Sequence, residues 1–338
     1  MPASAKRTDA FCRAWPTSYA DAVPFTRPDV LVLAGGGLIG EAWMTGVLAG
    51  MEAASGIDFR DCEGFVGTSA GSIVSAHLAA GRRPRTPDFP AGDLPDELPE
   101  LDEDENRALA GMLIGGARRT LDGVGRAAAS SLQPFAAGAL MAAAPGGALA
   151  RAALLSRLPA DGRRLDQLHA NIERLDAHFD GRLRVTAVDR RRGTRTVFGG
   201  PGAPPASVAD AVAASCTVPW LFAPVRIGAR EYVDGGVWSP TNLDAAAVRR
   251  GTEVLCLHPT ARFPVTAGSA MAAIRVLSRP QVSTEVLALQ RRGARVRVIG
   301  PNDAARDAMG QDFMAPDRRA EALAAGYDQG RTVSENES

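Results

Sequence analysis

The chain has 338 residues, of which 46% are hydrophobic and 22% charged, and its 38 basic residues balance 38 acidic ones. This length suits one large α/β domain or two ordinary ones, and the composition excludes collagen-like, wholly disordered and disulfide-scaffold proteins. Because the net charge is zero, no overall electrostatic field would attract nucleic acid or an anionic membrane. We therefore expect no nucleic-acid partner, and any contact with lipid would come from local apolar surface.

The cysteines and the first residues of the chain indicate neither a metal site nor a signal peptide. Cys12, Cys62, Cys216 and Cys256 are widely scattered, so they form none of the close pairs typical of zinc or redox sites. We predict buried free thiols, no bound metal and a cytoplasmic location. Residues 1–28 contain no apolar core followed by a cleavage site, and we expect them to form an irregular arm.

The first elements predict an α/β fold built on a parallel sheet. A continuous apolar run, typical of a buried strand, is followed by a helix, a short second strand and a second helix. This alternation is typical of a βαβ unit. The predicted strands are Val30–Leu33 and Gly64–Gly67, and the predicted helices are Glu41–Ala54 and Ala70–Ala80.

The middle of the chain, about residues 84–180, is predicted to be a loop and helical insertion. Pro84–Glu105 holds five prolines and nine acidic residues, which indicates an exposed loop. The chain is helical in character from Arg107 to about residue 158, and Leu165–Phe179 is predicted to be an amphipathic helix.

An alanine- and leucine-rich run within the insertion, Phe135–Leu155, is too interrupted to span a bilayer. Pro145, Gly146 and Gly147 break it, and Arg151 adds a charge. The run is either buried helix or a mobile cap whose apolar face shields a site in water and meets lipid at an interface.

Strand and helix signals return after the insertion and complete a single domain over residues 29–330, followed by a tail, 331–338, that is expected to fray. The remaining predicted strands are Leu183–Val188, Thr194–Phe198, Pro224–Ile227, Glu231–Val233, Glu253–Leu257 and Val296–Ile299. The remaining predicted helices are Ser207–Ala214, Leu243–Arg250, Ala267–Leu277, Val282–Arg292 and Arg318–Ala325.

One serine lies in a motif typical of a catalytic nucleophile. Residues 67–71 (GTSAG) join a predicted strand to a predicted helix. Gly67 and Gly71 are both needed on such a sharp turn, because side chains would collide as the backbone folds over. The Ser69 hydroxyl would then be exposed at the positive end of the following helix. The alternative is a glycine-rich connection that holds an ordinary serine.

A second glycine-rich turn, residues 35–40 (GGGLIG), follows the first predicted strand. It could be a phosphate cradle of the dinucleotide type, but no acidic strand end follows at the expected distance and no Walker lysine is present. It could also be an oxyanion hole, whose N–H groups face the charge that develops on a carbonyl oxygen. Two such turns on neighbouring parallel strands open at the same sheet edge, which favours acyl transfer without a cofactor.

The residue that would accept the serine proton is less clear. Asp234 follows a predicted strand and precedes two glycines, where an isolated aspartate is often only a turn former. Ser69, Asp234 and His258 have the chain order of an α/β-hydrolase triad. The other histidines are predicted to face away from the serine or to lie at the surface, namely His77, His169 and His178.

These motifs resemble those of bacterial patatin-like phospholipases. That family carries G-G-G-x-x-G, G-x-S-x-G and D-G-G/A motifs, which here read GGGLIG (35–40), GTSAG (67–71) and DGG (234–236). The resemblance covers roughly residues 30–83 and 180–300, and includes AASCTVPWLFAPV (213–225) and REYVDGGVWSPTNLDAA (230–246). It implies a three-layer α/β/α fold with a mostly parallel central sheet and a helical insertion.

The resemblance also implies a catalytic site. Ser69 would be the nucleophile and Asp234 its base, in a dyad that needs no histidine. The oxyanion turn would come from the first three glycines of the first motif, Gly35, Gly36 and Gly37. The family often has arginine or lysine where this chain has Ile39, so the preference for phospholipids over neutral esters stays open.

The function implied is that of a lipid acyl hydrolase of the phospholipase A, lysophospholipase or carboxylesterase type. It would cleave fatty acyl esters through an acyl-enzyme intermediate and would contact a lipid interface or the periphery of a membrane. Two alternatives remain: an esterase that uses His258 in a triad with Ser69 and Asp234, and a lipid-binding protein without catalytic activity.

Overall fold

The computed structural model describes residues 26–88, 146–157, 162–219, 221–261 and 270–335. In chain order the elements are β1 (Val30–Leu33), α1 (Gly37–Ser55), β2 (Gly64–Thr68), α2 (Ala70–Ala79), α3 (Gly146–Leu155), α4 (Asp166–Glu173), β3 (Leu183–Asp189), β4 (Arg195–Phe198), α5 (Val208–Cys216), β5 (Val225–Ile227), β6 (Arg230–Asp234), β7 (Glu253–Leu257), α6 (Ala270–Arg291), β8 (Arg295–Ile299), α7 (Asp303–Met309) and α8 (Arg319–Glu335).

The strands form one mixed sheet of eight, in which the central strands are parallel. Hydrogen-bonded neighbours run β5–β6–β3–β2–β1–β7–β8, and β4 also pairs with β3. β1 pairs in parallel with both β2 and β7, whereas β4 and β6 run antiparallel to β3. The predicted α/β fold with a mostly parallel sheet is confirmed.

Both faces of the sheet are covered, as the continuous apolar strand β1 predicts. Leu31 and Leu33 pack into one apolar cluster together with residues of α1, α2 and α5. Val30 and Val32, which point the other way, pack into a second cluster with Val282 and other residues of α6. The result is a three-layer α/β/α arrangement.

The register of β3 brings β2 and β6 end to end. Thr186 pairs with Thr68 of β2 on one side and with β4 on the other, and Ala187 pairs with Asp234 of β6 and again with β4. Since a strand residue has only two lateral neighbours, β2 and β6 lie on the same side of β3. The end of β2 therefore meets the end of β6, although these strands are distant in sequence.

Several predicted helices differ from the observed ones. Leu243–Arg250 is not an α-helix: only a 3₁₀ turn, Leu243–Ala245, forms there. The amphipathic helix predicted over Leu165–Phe179 ends at Glu173, after which Asp176 adopts a left-handed φ of 53°. Both predicted helices were too long, because apolar spacing alone does not show where the backbone leaves the helical conformation.

The C-terminal half also differs from the sequence predictions. The two helices predicted on either side of residue 280 are one continuous helix, α6, which buries Val282 and Leu289 against the sheet. α7 was not predicted. α8 continues to Glu335 and buries Ser334, so this part of the tail predicted to fray is helical.

Much of the predicted insertion and arm lies outside the described residues, including residues 1–25 and 89–145. Of the predicted cap, Phe135–Leu155, the structure describes only α3. In the described part of the chain no helix is long and apolar enough to cross a membrane.

Candidate active site

Ser69 lies on a sharp turn between β2 and α2. Its backbone has φ 51° and ψ −125°, a strained conformation for a residue with a side chain, and such strain is concentrated at functional sites. A Cβ on Gly67 would lie 2.4 Å from the Ser72 Cα, and one on Gly71 would lie 2.0 Å from the Leu33 carbonyl oxygen. Only glycine fits at either position. The turn leaves Ser69 partly exposed at the N-terminus of α2.

We expect Gly71→Ala to destabilise the fold by about 3 kcal/mol or more, because the added methyl group would overlap the β1 backbone. Thermal unfolding of the purified variant measures the effect. Gly64→Ala in the same strand–turn–helix unit is the control, since its Cβ would make ordinary contacts, with the Val30 side chain nearest at 3.5 Å. Equal melting temperatures for the two variants would contradict this account of the turn.

Asp234 ends β6 beside Ser69. Its carboxylate accepts a hydrogen bond from the Gly236 N–H at 2.7 Å. The residue is 5% exposed, and this burial raises the pKa of Asp234 to about 6, although the Gly236 N–H and the nearby Ser69 side chain oppose the shift. A carboxylate with this pKa is a stronger base than an exposed aspartate, yet it is mostly ionised at neutral pH.

The glycine-rich turn after β1 faces the same edge of the sheet, since Leu33 of β1 pairs with Gly67 of β2. A Cβ on Gly35 would lie 3.4 Å from the Ser69 Cβ. The Gly35 N–H donates to the Pro240 carbonyl at 2.9 Å, whereas among the described residues no hydrogen-bond acceptor is found for the N–H of Gly36 or Gly37. Two N–H groups at the positive N-terminus of α1 are thus available for an anion.

His258 does not join Ser69 and Asp234. It is buried after β7, and its Nδ1 lies 3.4 Å from the Thr260 hydroxyl. Burial lowers the pKa of His258 to about 4, and Asp234 is not among the causes of that shift. No hydrogen bond between His258 and Asp234 is present in the described residues. The geometry therefore gives no support to the triad alternative.

The other histidines lie away from Ser69. His77 is on α2, near Glu41. His169 is only partly exposed and pairs with Asp210 at 3.1 Å, and His178 is exposed. The predicted surface position holds for His178, whereas His169 packs between α4 and α5.

Ile39, which stands where the family often has a cation, is fully buried in the apolar core, and its N–H donates to the Phe313 carbonyl at 3.1 Å. Cationic side chains approach α1 at Glu41 instead, which pairs with Arg85 and Arg319. Burial alone would raise the pKa of Glu41, but the two guanidinium groups hold it below its usual value.

The sequence analysis missed the side chain that supports the Ser69 backbone. Ser215, at the end of α5, accepts the Ser69 N–H at 2.8 Å and donates to the Thr186 carbonyl at 2.7 Å. It thereby ties the turn to β3. No motif indicates this role. Ser215 lies in the segment AASCTVPWLFAPV (213–225), one residue beyond the end of the predicted helix Ser207–Ala214.

A match to a protein family accompanies this geometry. The sequence model of patatin-like phospholipases matches residues 31–247, which is more than half of the chain. The chain belongs to the patatin-like phospholipase family. The three glycine-containing motifs, Ser69 and Asp234 all lie within the matched region. No curated protein matches the sequence significantly.

Solved structures of similar fold include two bacterial proteins. VipD from Legionella pneumophila has 15% identity and a TM-score of 0.43, with coverage of 92% of this chain and 67% of VipD. The type III effector ExoU has 15% identity and a TM-score of 0.35, with coverage of 93% and 54%. ExoU in complex with SpcU, from Pseudomonas aeruginosa, has 20% identity, a TM-score of 0.34 and coverage of 92% and 52%. The chain spans about half to two thirds of these proteins.

Other features of the described residues lie apart from Ser69. A cleft of about 540 Å³ is lined by Arg184, Asp244, Arg292 and neighbouring residues, and it includes neither Ser69 nor Asp234. The described residues contain no cluster of three or more histidine, cysteine or acidic side chains suited to a metal ion. Three free cysteines, Cys62, Cys216 and Cys256, are buried as predicted.

Proposed function

We propose that this protein hydrolyses fatty acyl esters of lipids, with Ser69 as nucleophile and Asp234 as its base. The observation that carries the proposal is the register of β3, which brings the end of β2, directly before Ser69, next to the buried Asp234 at the end of β6. Family membership supports a lipid acyl hydrolase independently of this geometry.

In the proposed reaction Asp234 takes the Ser69 proton as the serine oxygen attacks the ester carbonyl carbon. The tetrahedral intermediate expels the alcohol, which receives that proton, and an acyl-serine remains. A water molecule then attacks the acyl-serine, giving its proton to Asp234. The fatty acid leaves, and the Ser69 hydroxyl is restored.

The N–H groups of Gly36 and Gly37 are the proposed oxyanion donors. The negative charge on the carbonyl oxygen develops only during attack, so donors fixed in advance favour the transition state over the substrate. The N-termini of α1 and α2 add positive potential at the same edge.

Turnover of a panel of esters tests this function. We expect hydrolysis of p-nitrophenyl esters, phospholipids or lysophospholipids by the full chain, and covalent labelling of Ser69 by a fluorophosphonate. A protein that binds lipid vesicles but neither turns over any ester nor becomes labelled would instead be a lipid-binding protein without catalytic activity.

The proposal includes contact with a lipid interface, and α3 is the described element best placed for it. Leu155 of α3 packs on Val188 and Val233, the residue before Asp234. On the same helix Leu149 is 78% exposed. Leu149 thus provides exposed apolar surface on a helix next to the site. Because the chain has no net charge, its contact with lipid would depend on such apolar surface.

We expect Leu149→Asp to reduce the rate on a short-chain ester above its aggregation point by about two- to tenfold. Full burial of a leucine side chain stabilises by roughly 1.5–3 kcal/mol, and contact with an interface would give only part of that free energy. The rate below the aggregation point should not change. Leu287→Asp is the control, since Leu287 is 51% exposed on α6, which packs against a different part of the sheet. Equal rates for both variants on aggregated ester would contradict an interfacial role for α3.

A further inference from the structure

A buried network of hydrogen bonds lies directly behind Ser69 and Asp234. Its centre is Asn242, which is fully buried in the turn between β6 and β7. The Asn242 Nδ2 lies 2.6 Å from the Ser239 carbonyl oxygen, 3.1 Å from the Thr68 Oγ1 and 3.3 Å from the Gly235 carbonyl oxygen. Its backbone is left-handed, with φ 47° and ψ 37°, which asparagine tolerates better than most residues.

The orientation of the amide follows from Arg195. An arginine Nη1 lies 3.1 Å from the Asn242 Oδ1, and a guanidinium can only donate, so the atom facing it is the amide oxygen. The amide NH₂ therefore faces the three oxygens, and its two hydrogens are shared among them. Because the Thr68 hydroxyl accepts this bond, its own proton is free for Thr186, whose Oγ1 lies 2.9 Å away.

Two of the residues that face the Asn242 amide are direct sequence neighbours of Ser69 and Asp234. Thr68 immediately precedes Ser69, and Gly235 immediately follows Asp234. We propose that Asn242 is a positioning residue that fixes the distance between Ser69 and Asp234 by hydrogen-bonding the neighbour of each. The inference rests on the proposed function, since it names what holds the proposed nucleophile and base together.

The turn that carries Asn242 is itself anchored from outside the site. Glu285 of α6 accepts hydrogen bonds from the Thr241 hydroxyl at 2.7 Å and the Leu243 N–H at 2.9 Å. These two hydrogen bonds to the Glu285 carboxylate, one on each side of Asn242, hold its amide in place before substrate binds. Such rigid support is what a catalytic pair needs, because a displacement of about 1 Å can cost about 100-fold in rate.

Asn242→Asp and Asn242→Gly test the proposal, and both residues tolerate the left-handed backbone. We expect each to lower kcat on a soluble p-nitrophenyl ester by about 10- to 100-fold with KM within about twofold. The acidic limb of the kcat/KM profile should move to higher pH in both. The aspartate adds a negative charge near Asp234, and the glycine weakens the interaction with the Ser69 side chain that favours ionised Asp234.

Asn171→Ala is the matched control, since it removes a buried amide of α4 whose hydrogen bonds are to Gln167 and Arg174 rather than to the site. It should lower the melting temperature while kcat and the acidic limb stay within about twofold of the wild type. Asn242→Gly that is folded, with wild-type kcat and pH profile, would overturn the proposal. So would failure of both Asn242 variants to fold, because the amide would then support the fold rather than the site.

The pKa of Asp234, measured by carbon-13 NMR with Asp234→Asn as the assignment control, separates this inference from the proposed function. A rise of this pKa in Asn242→Gly is expected whether or not the chain hydrolyses esters, because the nearby Ser69 side chain lowers it. An unchanged pKa overturns the role of Asn242. If the wild-type protein neither hydrolyses esters nor is labelled at Ser69, the proposed function is wrong. The pKa measurement would still decide whether Asn242 positions Ser69 and Asp234.

Discussion

Ser69→Ala is expected to abolish ester hydrolysis, with a loss on the order of 10³-fold or more, since no other group can form the acyl-enzyme. The fold should survive. Alanine is as small as serine, and the backbone hydrogen bond from residue 69 to Ser215 does not use the side chain. The lost interaction with Asp234 should change the free energy of unfolding by no more than about 1 kcal/mol. Rates on p-nitrophenyl esters and thermal unfolding measure both effects.

Ser75→Ala is the matched control for this substitution. Ser75 lies on α2, is fully buried, and its hydroxyl has no hydrogen-bond partner in the described residues. Its removal should leave activity and fluorophosphonate labelling intact. A fluorophosphonate adduct on any serine other than Ser69, or a folded Ser69→Ala that retains the wild-type rate, would show that Ser69 is not the nucleophile.

The fold class follows from the sequence because the strands are continuous apolar runs. β1, β2 and β7 are short and bounded by glycines or polar residues, so their ends could be placed to within a residue or two. Both faces of such strands must be covered, which leaves few architectures. The two glycine-rich turns were found for a similar reason, since Gly67 and Gly71 are required where backbones approach closely and Gly37 adopts a positive φ of 61°.

The supporting residues could not be found in this way. Ser215 and Asn242 act through contacts with Ser69 and Thr68, which depend on how β2, β3 and β6 are registered against each other. A helix was predicted over Leu243–Arg250 because its residues have good helix propensity. The Glu285 carboxylate accepts the Leu243 N–H from another element, and this tertiary contact stabilises a turn instead.

Asp234→Asn should lower kcat/KM by about 10³-fold at neutral pH, because an amide cannot accept the serine proton. Asparagine has the same shape, and its Oδ1 can still accept the Gly236 N–H, so the geometry should persist. In the wild type the rate should rise with pH and level off above the pKa of Asp234, which burial raises to about 6. Rate profiles between pH 4 and 8 on a soluble ester measure this limb.

The same substitution should stabilise the protein. The pKa of Asp234 is about 6 in the folded chain against 3.8 for an ordinary aspartate, so the folded state favours the neutral acid. Ionisation therefore costs stability as the pH rises through this range, and above pH 6 the cost is about 2–3 kcal/mol. Asp234→Asn should unfold at a higher temperature than the wild type at pH 7, and the two should converge near pH 4.

His258→Ala distinguishes the dyad from a triad. Burial keeps His258 neutral, with its pKa lowered to about 4, and its described hydrogen bond is to Thr260. Its loss should leave kcat within about twofold of the wild type, although a buried cavity lowers the melting temperature. A fall in kcat equal to that of Asp234→Asn would assign the proton transfer to His258. A loss of stability with an unchanged acidic limb leaves Asp234 as the base, because among the described residues Asp234 is the carboxylate next to Ser69 whose pKa, about 6, lies in the range of the limb.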